Sequence, residues 1–240
     1  MSIDATTSLA DLVIADGRRA AVLERLGLDY CCHGQRSLEQ AATEARLDVD
    51  DVRRALDLPE PPAQAPAAAP TGSRQQAELA HDIVDTHHAY MWEEMPRLAE
   101  LVAKVHRVHG DRHPELARVH ELFDEAVAAL APHMTTEERS VFPAISRLEK
   151  TCAPGPDGRL AEQIDQLVEE HAAVGDLFGR LATATGGYAA PPDACGSYRA
   201  MLEGLQTMER DLHEHIHKEN NILFPAAIAL QDALAGRTEV

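Results

Sequence analysis

An internal repeat constrains the fold of this chain more than any other feature. The segment HMTTEERSVFP at 133–143 recurs as HIHKENNILFP at 215–225, so the pattern H-x3-E-x4-F-P occurs twice, 82 residues apart. A shift of 83 residues carries His88 onto His171. Each half therefore supplies one histidine from its first helix and an H-x3-E pair from its second. This arrangement predicts two helical hairpins related by a pseudo-twofold axis.

Four long stretches of helical periodicity contain the repeat, at 75–109, 115–150, 159–184 and 193–234. Glycine and proline separate them, at Gly110 and Pro114, within 154–158 and within 186–192. The low aromatic content of 4% and the absence of alternating strand-like runs favour an all-α protein. We therefore predict an antiparallel four-helix bundle over residues 75–234, with a kink at Pro132.

The residues before the bundle are predicted to form a separate small module. The Pro/Ala-rich stretch PEPPAQAPAAAPTGS begins at residue 59 and cannot bury a core, so 59–74 is interpreted as a linker and 1–58 as the module. Three short helices are expected in the module, around 10–26, 37–46 and 48–56. Ser37 and Gln40 have the spacing of a capping box, and Asp48 is a suitable N-cap.

The net charge, the N-terminal sequence and the cysteines indicate which kinds of protein this chain can be. The formal net charge of -18 argues against a nucleic-acid or anionic-membrane surface. The N-terminus MSIDATTSLADLV lacks a basic segment followed by an apolar run, and nowhere do 18 apolar residues follow one another. Two of the four cysteines are adjacent and two are isolated, unlike a secreted disulfide framework. We therefore expect a cytoplasmic protein.

Polar residues interrupt the apolar stripes of the four predicted bundle helices. Residues four apart share one helix face, so each H-x3-E pair converges on one point. In the fourth helix, the pair continues a stripe expected to be buried, with apolar members Leu205, Met208, Leu212, Ile222 and Ala226. The polar residues on the four stripes are His88, His133, Glu137, His171, His215 and Glu219.

These six residues favour a metal centre. Any one histidine on such a stripe is more often solvated or satisfied by a single hydrogen bond than bound to metal. Two buried carboxylates, however, cost several kcal/mol unless a cation compensates them. Four imidazoles with two carboxylates suit Fe, Mn or Zn better than Ca or Mg, and two glutamates from opposite helices can bridge two metals. Ferritin-type bundles use more Glu and the order E-x2-H, so this H-x3-E set favours the hemerythrin type.

A zinc-protease motif overlaps the second repeat. His213, Glu214 and His217 complete H-E-x-x-H. His213 and His217 lie about 200° around the helix from His215, so we expect them to face solvent and to bind no metal.

The other histidines of the first bundle helix are not predicted to be metal ligands. His87 and His106 are predicted to lie at the surface. His81 and His109 fall on the inward stripe, but His109 lies about 30 Å along the helix from the predicted ligand. Glu170 is either a solvated charge or a hydrogen-bond partner of a ligand.

Cys31 and Cys32 lie between two predicted helices, in the segment LGLDYCCHG at 26–34, where Gly34 would relieve strain at a turn. Adjacent thiols form a disulfide only in a strained ring, so the pair would be readily reduced. The alternative is that both are small, buried apolar residues. The residues alone favour neither interpretation.

Outside the linker, nearly the whole chain resembles the Repair of Iron Centres family, di-iron proteins implicated in mending iron–sulfur clusters after nitrosative or oxidative damage. The element DYCC at 29–32, followed by Leu38 and Ala41-Ala42, is similar to the N-terminal signature of that family. The two H-x3-E-x4-F-P segments are similar to its metal helices. The resemblance implies a functional pair in Cys31 and Cys32. It also implies the di-iron ligands His88, His133, Glu137, His171, His215 and Glu219.

Two features depart from the family pattern. Glycine is commoner in the family where His33 stands, so His33 adds a proton donor or metal ligand beside the thiols. The Pro/Ala linker is also longer than a minimal connection. Whether the cysteine pair can reach the iron site is therefore an open question at this point.

The resemblance implies two iron ions, bridged by carboxylate and by an oxo group or solvent. Cluster repair would proceed through iron donation, or through nitric oxide binding and reduction, with damaged iron–sulfur proteins as partners and NO or O2 as small ligands. One alternative is a hemerythrin-like protein that binds or senses O2 or NO without turnover, although simple O2 carriage needs no thiols. A ferroxidase or iron store is a third, weakened by the histidine-rich ligand set. The oligomeric state is open, with a homodimer among the alternatives.

Overall fold

The computed structural model describes residues 3–59, 75–152 and 159–238. Within these ranges the chain is helical apart from turns and one isolated β-bridge between Ser8 and Ser37, which confirms the prediction of an all-α protein. Apart from Pro59, the predicted linker 59–74 lies outside the described residues, as does the predicted break at 154–158. Among the described helices, none combines the length and apolarity needed to cross a membrane.

Four long helices form the bundle, and three of them consist of consecutive segments. The first comprises Gln75–Ile83, Val84–His88 and Ala89–His109. The second comprises Glu115–Thr136, Glu137–Val141 and Phe142–Thr151, and Pro132 lies within its uninterrupted first segment. The third is Leu160–Ala184. The fourth comprises Gly196–Lys218, Glu219–Leu223 and Phe224–Thr238.

Neighbouring bundle helices run antiparallel. At the start of the first helix, Gln76 N donates to Glu149 Oε1 near the end of the second (3.1 Å). Gln76 Nε2 donates to the carbonyl of Ala226, near the end of the fourth helix (3.1 Å). Near the start of the third helix, Gln163 Nε2 donates to Ser140 Oγ in the second (3.1 Å). These contacts confirm the predicted antiparallel bundle.

Three bundle helices each contain one wide turn of π-helix, at Val84–His88, Glu137–Val141 and Glu219–Leu223. In the last two, the N–H of the phenylalanine after the turn donates to the carbonyl of the glutamate five residues earlier. The proline after that phenylalanine gives a physical reason, because proline has no N–H and its ring clashes with the carbonyl four residues back. Each wide turn begins or ends at a predicted metal ligand.

The wide turn in the fourth helix corrects one predicted position. Ile222 was expected on the buried stripe, but it is 37% exposed, whereas Leu223 and Ala227 are fully buried. One extra residue in a turn rotates the following segment by about 100°, which moves the buried stripe one position along the chain. Helical periodicity alone does not reveal such an insertion.

The N-terminal module contains α1 (Leu9–Ala15), α2 (Ala20–Arg25), α3 (Leu38–Glu44) and α4 (Val49–Leu56). The predicted capping box is confirmed, since the side chain of residue 37 and that of residue 40 each accept from the other's backbone N–H. The predicted cap at residue 48 is also confirmed.

The single helix predicted over 10–26 is wrong. Asp16 adopts an extended conformation (φ -154°, ψ 100°), and its side chain accepts a hydrogen bond from Arg18 N. An aspartate side chain that bonds to nearby backbone in this way competes with helical hydrogen bonds. The predicted helix is therefore divided into α1, a short 3-10 turn at Gly17–Arg19, and α2.

Two apolar clusters fill the interior. One is shared by the module and the adjoining part of the bundle, and it includes Leu23, Tyr30, Phe123 and Phe178. The other fills the opposite end of the bundle, with Ile83, Phe142, Ile164 and Phe224 among its members. The module is thus packed onto the bundle through a common core.

Candidate metal centre

The six polar residues predicted from the repeat meet inside the bundle. All are at most 3% exposed: His88, His133, Glu137, His171, His215 and Glu219. They form two groups of four, which share both glutamates and whose ligand atoms lie within 4.8 Å of one another. The 88/215 group contains His88, His215 and the two glutamates, and the 133/171 group contains His133, His171 and the same two glutamates.

The histidines of each group face each other through Nε2. These atoms are 3.0 Å apart between His88 and His215, and 2.9 Å apart between His133 and His171. Two metal–nitrogen bonds of about 2.1 Å at a right angle would place the nitrogens about 3.0 Å apart. The spacing is therefore that of two ligands of one ion.

Each glutamate directs one oxygen to each group. Glu137 Oε2 lies 3.3 Å from His88 Nε2, and Glu137 Oε1 lies 3.3 Å from His133 Nε2. Glu219 Oε1 lies 3.0 Å from a histidine nitrogen of the 88/215 group, and its Oε2 lies 3.1 Å from one of the 133/171 group. This is the arrangement expected of two carboxylates that bridge a pair of cations.

Unpaired oxygen atoms give an independent test of whether the residues fit metal. Both carboxylate oxygens of Glu137 and Oε2 of Glu219 are buried without a hydrogen-bond partner among the described residues. An ionised carboxylate in such a position needs a compensating charge or a metal. The donor set and its unpaired atoms therefore fit two cations.

The charges of these groups are strongly coupled. Burial alone would lower the pKa of His88, but the adjacent carboxylates of Glu137 and Glu219 raise that pKa to about 10. Burial and the charge of Glu219 would raise the pKa of Glu137, but three nearby histidine rings lower it well below its usual range. The pKa of Glu219 is likewise lowered by its histidine neighbours, so both glutamates are held as carboxylates, the form that binds metal.

Further side chains orient three of the four histidine rings through Nδ1. The pairs are His88 with Glu138 Oε1 (3.0 Å), His133 with Glu170 Oε2 (2.8 Å) and His171 with Asn220 Oδ1 (2.8 Å). Among the described residues, Nδ1 of His215 has no hydrogen-bond partner, and this ring stacks on His87 with centroids 5.6 Å apart. Such outer hydrogen bonds fix ring orientation and increase ligand basicity. Of the two interpretations of Glu170, the structure supports the hydrogen-bond partner.

The sequence analysis did not identify Glu138 and Asn220, although the repeat contains the signal. Each is the residue directly after the ligand glutamate of its H-x3-E pair. Each bonds to the histidine supplied by the first helix of the same hairpin. An outer partner at this equivalent position was therefore predictable from the duplication.

Several histidine predictions need correction. His87 is buried, not at the surface, and its Nδ1 lies 2.9 Å from Asp211 Oδ1. His217 is also buried, and His213 is half-buried, because the ring of Tyr30 covers this helix face. Sequence periodicity assigned that face to solvent because it could not show where the module packs.

The remaining expectations for the first bundle helix had mixed outcomes. His81 is exposed, contrary to the prediction, and His106 is half-buried. His109 is buried as predicted, and its Nε2 lies 3.2 Å from Cys195 Sγ rather than near the six-residue cluster.

The cysteine turn lies directly against the part of the bundle that contains the six-residue cluster. Asn221 Nδ2 donates to the carbonyl of Cys31 (3.0 Å), and Cys32 Sγ lies 3.7 Å from the carbonyl oxygen of His171. A Cβ atom on Gly34 would lie 2.3 Å from the carbonyl oxygen of Tyr30 and 3.1 Å from Asn221 Oδ1, so only glycine fits this close approach. The structure thus shows the pair packed against the third and fourth bundle helices, close to the six-residue cluster.

The two thiols differ in environment. Cys31 is buried and Cys32 is half-buried, with Cys31 Sγ donating to Cys32 Sγ at 3.7 Å. This hydrogen bond lowers the pKa of Cys32 and raises that of Cys31. Cys32 is therefore the thiol that more readily becomes a thiolate, the nucleophilic and metal-binding form.

Comparison with known proteins agrees with the fold and with a cation-binding bundle. Residues 79–227 match the family model of the hemerythrin HHE cation binding domain, and residues 5–59 match that of a domain of unknown function, DUF542. The bundle is thus a hemerythrin-type cation-binding domain. The iron-sulfur cluster repair protein YtfE of Escherichia coli O81 (strain ED1a) and its namesake in Escherichia fergusonii are each 32% identical over 221 residues, which cover 92% of this chain and 96% of theirs. The chain belongs to the Repair of Iron Centres family.

Proposed function

We propose that this protein is a di-iron protein that repairs iron–sulfur clusters damaged by nitric oxide or oxidative stress. The observation that carries the proposal is the pair of buried four-ligand groups that share Glu137 and Glu219, with one carboxylate oxygen directed to each group. Four imidazoles and two carboxylates suit iron. The name of the relatives, iron-sulfur cluster repair protein, supports repair as the purpose of that iron.

Different residues of the chain have different roles in this proposal. The six ligands would hold two iron ions, which would supply electrons and a binding position for NO or O2. Outer carboxylate and amide partners keep three histidine rings in place, and the two apolar clusters limit water around the centre. Cys31 and Cys32 would act in thiol or redox chemistry beside the irons without being their ligands. Damaged iron–sulfur proteins in the cytoplasm are the proposed partners.

Recovery of an enzyme inactivated by nitric oxide tests the proposal. Reduced, iron-loaded protein is expected to restore the activity of a damaged iron–sulfur enzyme, and Glu219→Ala is expected to abolish that recovery together with iron binding. The double variant Cys31→Ala, Cys32→Ala should keep two irons but repair poorly. The matched control Cys152→Ala, Cys195→Ala should repair normally.

Two results would contradict parts of this proposal. Wild-type protein that binds NO but restores no enzyme activity would favour the alternative of a hemerythrin-like sensor or carrier. A Cys31, Cys32 double variant that repairs as well as wild type would assign the thiols a structural role only.

A further inference from the structure

A second group of metal-binding side chains lies in the turn between α2 and α3, outside the six-residue cluster. It contains Asp29, Cys31 and Cys32, with one ligand atom of each within 4.8 Å of the others. Cys31 Sγ is 3.7 Å from Cys32 Sγ and 3.3 Å from Asp29 Oδ1. None of these side chains contributes to the 88/215 or 133/171 group.

Two of the three separations in this group are close to those around a tetrahedral ion. With metal–sulfur bonds of about 2.3 Å, two thiolates lie about 3.8 Å apart. A carboxylate oxygen bound at about 2.1 Å lies about 3.6 Å from either sulfur. The observed distances of 3.7 and 3.3 Å differ little from these values, so a cation would require only small shifts of the side chains.

Backbone contacts hold the ligands in this arrangement. Asp29 Oδ1 accepts hydrogen bonds from the N–H groups of Cys31 (3.0 Å) and Cys32 (2.9 Å), and Asp29 Oδ2 lies 2.6 Å from His33 Nδ1. A groove of about 920 Å³ between module and bundle is lined in part by Asp29 and Cys31. The group is therefore both ordered by its own turn and in contact with a groove through which an ion can enter.

We propose that Asp29, Cys31 and Cys32 form a separate site for one thiophilic divalent cation, such as ferrous iron or zinc. Binding replaces two S–H bonds with two metal–sulfur bonds and releases two protons to solvent, so no oxidant or reductant is needed. The inference does not depend on cluster repair, because it rests on the turn alone and applies equally to a sensor.

Cobalt(II) is a suitable probe. The full-length protein, with its bundle centre loaded and its thiols fully reduced, is titrated anaerobically with one equivalent of Co²⁺. The six bundle ligands include no sulfur, so thiolate-to-cobalt charge-transfer absorption reports only a cysteine site. We expect this absorption to saturate near one equivalent and to disappear when Zn²⁺ is added. Fully reduced wild-type protein without the absorption would overturn the proposal.

Cysteine variants locate the signal. Cys31→Ala, Cys32→Ala should abolish the absorption, whereas Cys152→Ala, Cys195→Ala should retain it. The control is needed because Cys195 lies beside His109 and offers another thiolate. Unchanged circular dichroism and bundle metal content would show that each variant is folded. Absorption that follows Cys152 and Cys195 instead would contradict the assignment.

Asp29→Asn tests the carboxylate separately. The amide oxygen can still accept the two backbone hydrogen bonds, so the turn is preserved while the charged ligand is lost. Loss of a side chain that hydrogen-bonds to a metal ligand typically weakens metal binding about 10- to 100-fold. Loss of a direct ligand should therefore weaken Co²⁺ binding at least tenfold. Co²⁺ affinity equal to wild type would show that Asp29 is not a ligand.

Discussion

The 88/215 and 133/171 groups contain the same kinds of ligand but differ in what surrounds them. In the 133/171 group, both outer ring nitrogens are hydrogen-bonded, to Glu170 and to Asn220. In the 88/215 group, only His88 has such a partner, while His215 has none among the described residues. The two groups therefore have equivalent ligands, but their histidine rings differ in the number of outer hydrogen bonds.

The module contacts an outer partner of the 133/171 group. Glu138 and Asn220 occupy equivalent positions of the repeat, but Glu138 also accepts from Trp92 Nε1 (2.9 Å), whereas Asn220 Nδ2 is 3.5 Å from the carbonyl oxygen of Cys31. One amide thus contacts both a histidine of the 133/171 group and the cysteine turn. The cysteine turn is therefore linked through Asn220 to the 133/171 group in particular.

The largest effect is expected from removing a shared ligand. Glu219→Ala or Glu137→Ala should reduce the metal bound by the bundle from two ions to near zero, because each carboxylate supplies an oxygen to both groups. His171→Ala should mainly remove the ion of its own group. Metal analysis of anaerobically purified protein measures this, and Glu214→Ala, an exposed position on the same helix, is the matched control.

A Glu219→Ala protein with two irons and an unchanged optical spectrum would contradict the shared role. So would a His171→Ala protein that loses both ions as completely as the glutamate variants. In either case the two groups could not be treated as separate sites joined by carboxylates.

A smaller, one-sided effect is expected from Glu170→Ala. Losing the hydrogen bond to His133 should weaken metal binding by the 133/171 group about 10- to 100-fold and leave the 88/215 group near its normal affinity. The exposed neighbour Glu169→Ala should have no effect. Competition with a graded series of chelators measures both affinities. Equal weakening at both groups would mean that the hydrogen bond with Glu170 does not act on the 133/171 group alone.

Graded chelation of the wild-type protein should also distinguish the two groups. The ion held by His88 and His215 is expected to leave first, with an affinity lower by about tenfold, because one of its two histidines lacks an outer partner. Spectra of the one-metal form, compared with those of His171→Ala and His215→Ala, identify the ion that remains. Simultaneous release of both ions, or earlier release from the 133/171 group, would contradict the expected difference in affinity between the two groups.

The bundle and its six convergent residues were predictable from the sequence because two signals agreed. Helical periodicity placed the residues on inward stripes, and the duplication related them in pairs. Glu138 and Asn220 were also encoded in the repeat, but periodicity alone does not distinguish an outer partner from a solvated residue. The wide turns were harder to predict, since Ile222 follows the α-helical period until the inserted residue shifts it.

The packing of the module was not predictable in the same way. His213 and His217 lie on a polar helix face, and polarity is equally compatible with water or with the cover that Tyr30 provides. The composition of the Pro/Ala-rich stretch gives no distance constraint, because a sequence of that kind and length is compatible with many separations of its ends. Contacts in the structure establish the position, among them those of the Cys31 carbonyl and Gly34 with Asn221.

The smallest effect on metal content is expected from His213→Ala and His217→Ala, which change the module contact without touching either group. Both rings pack edge-on against Tyr30, at centroid distances of 6.4 and 5.4 Å. Each such contact contributes about 1 kcal/mol, so each variant should unfold at a slightly lower temperature while keeping two irons. The exposed His81→Ala is the matched control for both measurements. Loss of iron from either variant would mean that the H-E-x-x-H motif binds metal after all, and a zinc-protease type of site would have to be reconsidered.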